Sequence, residues 1–204
     1  MKMTELFLAE LEREVRRSRH ALEQIPKSSR EWKPHDKSMA FGYLADLVAT
    51  MPSWLAMMIT KDQLDIAPKD GQQFRPPESR TSKDFARALD EAARQARSAL
   101  QGTNDEFLQT RWQLLAGGKV VADAPRHEML QDTFNRWAHH RGQMTVYLRL
   151  LGAKGSRHLR PVGGRQIFRL RSLPRQRLCR AGSDASHLSW GRALYLAGGE
   201  TWNA

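Results

Sequence analysis

Apolar positions in the first part of the chain recur at helical spacing. Leu8, Leu11, Val15, Leu22 and Ile25 follow at steps of three, four and seven, one apolar stripe on a charged segment. The pattern predicts a helix over residues 4–25, ended by Pro26. After the polar loop KSSREWKPHDKS, residues 39–60 are apolar on most sides and predict a second, buried helix with a kink or break before Pro52. Residues 61–81, KDQLDIAPKDGQQFRPPESRT, are punctuated by Pro and Gly and read as a loop long enough to carry function. Thr81-Ser82-Lys83-Asp84 has the form of a capping box and starts a third helix near Ser82. That helix is carried by Phe85, Leu89, Ala93, Ala96 and Leu100 and stops at Gly102. Between Phe107 and Ala122, TRWQLL, Gly117-Gly118 and KVVA predict a short β-hairpin. A fourth helix covers residues 127–151, after Pro125 and before Gly152. The expected fold is all-α: an up-down four-helix bundle of roughly ninety helical residues, a hairpin before the last helix, and an irregular C-terminal tail.

The texture changes after Ala153. The tail is rich in Gly and Arg and keeps no period of 3.6 or 2, which divides the chain into a domain over 1–153 and a basic tail over 154–204. Ten Lys and Arg against two acids give that tail a net +8, whereas residues 1–153, with 23 against 20, are close to neutral. The overall +11 therefore belongs to one end and not to a folded basic face. No nucleic-acid partner is expected. Cys179 is the one cysteine, which excludes an internal disulfide and a cysteine zinc finger and suits a reducing cytoplasm. Glu5 and Glu10 precede any apolar run, so the N-terminus does not read as a signal peptide. Residues 39–59 approach membrane-spanning length, but Asp46, Thr50, Pro52 and Ser53 favour a buried bundle helix, and no membrane partner is expected.

Chemistry is densest in the fourth helix, QDTFNRWAHHRGQMTVYLRLLG, where His139, His140, Arg141 and Gln143 lie within five residues. Asp132, Arg136 and His140 stand at i, i+4 and i+8 and share one face. A buried His140 there could ligate a metal or act as a base. It could equally be a satisfied core histidine beside an Asp132–Arg136 ion pair. One histidine makes no metal site, because a stable divalent site takes about three protein ligands. Trp32 and His35 read as a loop packed over the bundle, and Trp54, Met57 and Met58 read as core. Gly117-Gly118 is a turn and not a phosphate loop, having no strand–loop–helix context. No Ser/His/Asp or Cys/His nucleophile arrangement can be assembled.

HHRGQMTVYLRLLGA, the hairpin before it, and WKPHDKSMAFGYLADLVATMPSW earlier resemble the DinB/YfiT-like family of bacterial four-helix-bundle proteins over roughly residues 4–153. That resemblance implies a divalent-metal site of three histidines, one in helix two and a His-x-x-x-His pair in the last helix. It also implies activities that include metal-dependent hydrolases and thiol S-transferases. Residue by residue, the helix-two ligand falls on Leu47 of Leu47-Val48-Ala49, the first His of the pair falls on Arg136, and His140 is retained. Asp46 adjoins the lost ligand, but a helical neighbour is turned by about 100°. Arg136 is always charged and repels a dication. The expectation is a cytoplasmic family member with a degenerate metal site, its pocket formed by Asp132, Arg136, His139, Trp32 and His35. The alternative is a hydrolase or S-transferase holding zinc or nickel through His140, with Asp46 assisting. A homodimer through an apolar helix face and an unidentified small-molecule ligand fit either reading.

In the subgroup this chain resembles, Leu-Gly-Ala-Lys runs on into a string like Val-Pro-Ala-Ile-Tyr-Gly-Pro-Ser-Ala-Asp-Asp-Lys-Phe. Written in suitably chosen GC-rich codons with one added G in front, that string reads Gly-Ser-Arg-His-Leu-Arg-Pro-Val-Gly-Gly-Arg-Gln-Ile-Phe, which is residues 155–168 as found. The tail is therefore expected to be a frameshifted C-terminus whose basic character comes from codon composition and which has no hydrophobic period with which to pack.

Overall fold

The computed structural model describes residues 2–68 and 81–153, so the tail, and residues 69–80 of the suspected loop, lie outside the described residues. The chain order is α1 (Met3–Leu22), α2 (Phe41–Thr60), β1 (Gln63–Asp65), α3 (Ser82–Gln101), α4 (Asp105–Leu108), β2 (Arg111–Ala116), β3 (Lys119–Pro125) and α5 (Arg126–Leu150). The protein is thus mostly helical with one small sheet of order β1-β2-β3, β1 running parallel to β2 and β3 antiparallel to it.

Local chemistry sets the element boundaries. Past Leu22, Gln24 and Ile25 donate to the carbonyls of Ala21 and Leu22, three residues back, so α1 unwinds before Pro26 and not at Ile25. α2 starts at Phe41, not Met39, because the Phe41 and Gly42 amides pair with the carbonyls of Trp32 and Arg30 at 2.9 and 2.8 Å. The expected break at Pro52 does not occur. α2 is continuous, and hydroxyls join its polar satisfaction around the proline, Thr50 donating to the Asp46 carbonyl and Ser53 to the Thr50 carbonyl. The capping box of α3 forms as expected, the Asp84 amide donating to Thr81 Oγ1 at 3.2 Å and the Thr81 amide to Asp84 at 3.0 Å. The hairpin turns on Gly117 and Gly118, with φ of +62° and +79°, conformations that favour glycine. β1, a strand of three residues, was not expected. Asp65 secures it by accepting from the amides of Ala67, Gly117 and Gly118, and these bonds, that of Ala67 foremost, lower its pKa.

Paired side chains fix the helix directions. Phe7 stacks on Phe134 and Glu14 binds Arg141, so α1 and α5 run parallel. Glu12 meets Arg97, and Arg19 meets Asp90, so α1 and α3 run antiparallel. Phe41 packs on Tyr147 and Met58 meets Thr133, so α2 and α5 also run antiparallel. The four long helices among the described residues therefore run up, down, down, up. This corrects the up-down alternation expected from the sequence. Parallel neighbours need a connection that returns the length of the helix, about 30 Å for twenty residues, and residues 61–81 are long enough to supply it.

The core is continuous along these helices and includes the fully buried Trp112 of β2 and Trp137 of α5. Among the described residues α2 alone is long and apolar enough to cross a membrane, yet 78% of its apolar window is buried inside the fold. α2 is a core helix, with Trp54 and Met58 buried and Met57 half-buried as expected. At the lower end the buried Arg126 donates to the carbonyls of Met58 and Lys61 (2.8 Å to Lys61), to Thr110 Oγ1 and to Asp62, and its guanidinium lies 4.5 Å from the centre of the Phe107 ring.

Candidate functional site

α5 presents the expected stripe. Asp132, Arg136 and His140 are all half-buried, and their charges interact: Asp132 attracts the Arg136 guanidinium, and Arg136 acts on His140. Burial lowers the Arg136 pKa against the pull of Asp132, without discharging a guanidinium. His140 Nδ1 lies 3.0 Å from Gln143 Oε1, one turn on, so with that nitrogen protonated Nε2 carries the lone pair. Burial depresses the His140 pKa, His139 and Arg136 add to the depression, and Gln143 opposes it. The imidazole is therefore neutral at pH 7. His139 is exposed, with its ring centre 5.5 Å from that of His140.

On α2, Leu47 stands at a similar height to His140 on α5. It lies about 9 Å along the axis from Phe41, as His140 lies about 10 Å from the facing Tyr147. Leu47 is half-buried and Asp46 is 2% exposed. Asp46 accepts from Arg30 Nη2 at 2.9 Å, which commits that carboxylate to an ion pair within the chain. Trp32 meets Tyr147 edge-on at 5.5 Å and so packs against the upper part of α5. His35 is exposed, and its Nδ1 accepts from the Lys37 amide at 3.1 Å.

One buried carboxylate, Glu14, is a group the sequence reading does not single out. Glu14, 2% exposed on α1, binds Arg141 Nε at 2.9 Å and Arg17 Nη1 at 2.6 Å. It stands in the row Phe7, Leu11, Glu14, Ser18, one face of α1, and that spacing was the available signal. Asp46, the carboxylate expected to assist His140 in a metal site, stands in the apolar helix α2 one turn after Gly42 and is paired with Arg30.

The donor set does not fit the family's metal. At the three positions to which the resemblance assigns ligands it offers one imidazole, an alkyl chain and a guanidinium; Asp46, beside Leu47, is paired with Arg30, and Asp132 attracts Arg136. Among the described residues no group of three or more His, Cys, Asp or Glu is placed to hold a metal ion. A cavity of about 790 Å³ opens elsewhere, between the C-terminal ends of α2 and α3, lined by Met57, Thr60, Arg94, Ser98 and Phe107 among others. None of the expected site residues lines it.

Comparison with known proteins agrees with this architecture. The model of the DinB family matches residues 1–157. A DinB-like protein from Bacillus subtilis superposes with a TM-score of 0.56 at 18% identity, covering 72% of this chain and 92% of its own. A DinB-like protein from Bacillus cereus superposes with a TM-score of 0.56 at 23% identity, covering 72% and 91%. No curated protein matches the sequence.

Proposed function

The chain belongs to the DinB family, and on that footing we propose that it is a cytoplasmic family member in which the three-histidine metal site has degenerated into a metal-free pocket. The observation that carries this reading is Arg136, a half-buried cation one helical turn from His140 at a position the family gives to a ligand. A fixed positive charge there opposes a dication at the distance where a second histidine would bind it. Leu47 adds an apolar wall, and Asp46 is held by Arg30. What the pocket offers a small molecule is a guanidinium beside a neutral imidazole, a pair suited to an anionic group that also accepts or donates one hydrogen bond. The four long helices and the hairpin are read as the bundle of this family, folded within residues 1–153. Residues 154–204 are read as a frameshifted C-terminus, and the coding DNA tests that: the other frame after codon 154 should encode a Tyr-Gly-Pro-Ser-like continuation, and its absence ends the idea.

A zinc- or nickel-dependent hydrolase or thiol S-transferase is the second reading. It is favoured by one observation, the neutral His140 whose Nδ1 is engaged by Gln143, the arrangement that prepares Nε2 for a metal. Metal analysis of the purified full chain separates the two. The degenerate-site reading expects zinc and nickel far below one per chain. Stoichiometric metal that His140→Ala abolishes would overturn it in favour of the enzyme.

A further inference from the structure

The segment joining α1 to α2 is fastened to the bundle at three kinds of contact. Its carbonyls at Arg30 and Trp32 accept from the Gly42 and Phe41 amides, two of the first amides of α2, which have no partner inside their own helix. The Arg30 side chain crosses the bare surface of Gly42, where a Cβ would lie 2.2 Å from Arg30 Cγ, and ends on the buried Asp46. Trp32 closes edge-on over Tyr147, which also touches Phe41. Between these fastenings the segment has no helix or strand, and Glu31, Lys33, Pro34, His35, Asp36 and Lys37 are exposed. Its entry reverses direction at Ser28, a non-glycine residue at φ 62°, with the Ser29 hydroxyl donating to the Pro26 carbonyl.

We propose that residues 23–40 form a strap that opens as a unit from the N-terminal end of α2 and the facing Tyr147 of α5, with the Arg30–Asp46 pair as its latch. Opening uncovers the Asp46 carboxylate, five residues beyond Phe41 in α2, and leaves the core contacts of α1, α3 and α5 intact. The fastenings described are local: two amide bonds, the Arg30–Asp46 pair, the Trp32 edge, and the packing of Ile25, Trp32 and Met39 against the core. The energy of opening is therefore set by these contacts and not by the stability of the whole fold. Gly42 belongs to the device because only a residue without Cβ lets the arginine lie flat across α2. The inference is independent of whether a metal binds near His140.

Residue-resolved amide hydrogen exchange on the full chain tests it. The Phe41 and Gly42 amides report directly, since they donate to the strap. Arg30→Gln is expected to speed their exchange about tenfold or more, while the amides of α3 and the lower half of α5 keep their wild-type rates. Trp32→Ala, which cuts a different fastening, is expected to give the same local pattern. Unchanged rates at Phe41 and Gly42 in both variants would overturn the strap, as would a uniform rise across α1, α3 and α5, which would mean that the segment is released only when the fold is.

Discussion

The two ends of α5 handle buried charge in opposite ways. At the lower end the cation is buried and its carboxylate partner is not: Arg126 is 3% exposed, and the Asp62 side chain that it meets is fully exposed. At the upper end the carboxylates are buried and the cations reach in from the surface. Glu14 is 2% exposed against 17% for Arg141, and Asp46 2% against 27% for Arg30. The difference teaches which partner matters. Arg126 spreads its donors over two carbonyls, a hydroxyl and a carboxylate, so losing one acceptor leaves it solvated by the chain. Glu14 and Asp46 are compensated by arginines that reach in from the surface, so losing one weakens the compensation of a charge held away from water, and at Glu14 leaves it to Arg17 alone.

Mutations at the buried and exposed members can break that comparison. Arg126→Ala should cost the most, about 3–5 kcal/mol by urea denaturation, because it orphans the last carbonyls of α2 and leaves a cavity beside Phe107. Asp62→Ala should leave the urea midpoint unmoved. Equal losses for the two would mean that the ion pair, and not the carbonyl bonds, holds the lower end. At the upper end the order reverses. Arg141→Ala should cost about 1–3 kcal/mol and Glu14→Gln less, since the second removes the charge that the first leaves to the exposed Arg17 alone. A larger loss for Glu14→Gln would contradict the asymmetry. Gly42→Ala should cost about 1–3 kcal/mol by the same measurement, through the displaced arginine.

The smallest effect is a pH dependence. Burial lowers the His140 pKa below its ordinary 6.5, so the folded state binds this proton less readily than the unfolded chain does. Its contribution to stability is complete above pH 6.5 and is lost as pH falls through the lowered value. Urea midpoints followed from about pH 8 to about pH 5 should fall less steeply in His140→Gln than in the wild type. Identical slopes would place His140 in water.

Much of this architecture was legible in the chain. The 3.6-residue pattern located the four long helices, Thr81 and Asp84 marked a helix start, and Gly117-Gly118 marked the hairpin. Periodicity carries no direction, however, and the parallel placement of α2 and α3 depends on a connection that sequence pattern leaves free. β1 escaped because three residues are too few to show alternation, and its anchor is Asp65 binding amides some fifty residues on. The stripe of Asp132, Arg136 and His140 followed from i+4 spacing alone. Glu14, Arg30 and Arg126 did not, because charged residues on amphipathic segments look solvated until the packing of a second element covers them. Asp46 taking Arg30 is a tertiary event, permitted by a glycine one turn earlier.

The proposed function requires that Leu47 and Arg136 occupy the positions at which this fold would hold a metal with His140, and that they prevent it from doing so. Calorimetric titration of zinc and of nickel into the full chain and into the double variant Leu47→His with Arg136→His tests this most directly. The account expects no stoichiometric binding by the wild type and one metal per chain in the double variant, lost again when His140→Ala is added. Tight binding by the wild type, or none by a folded double variant, would contradict it.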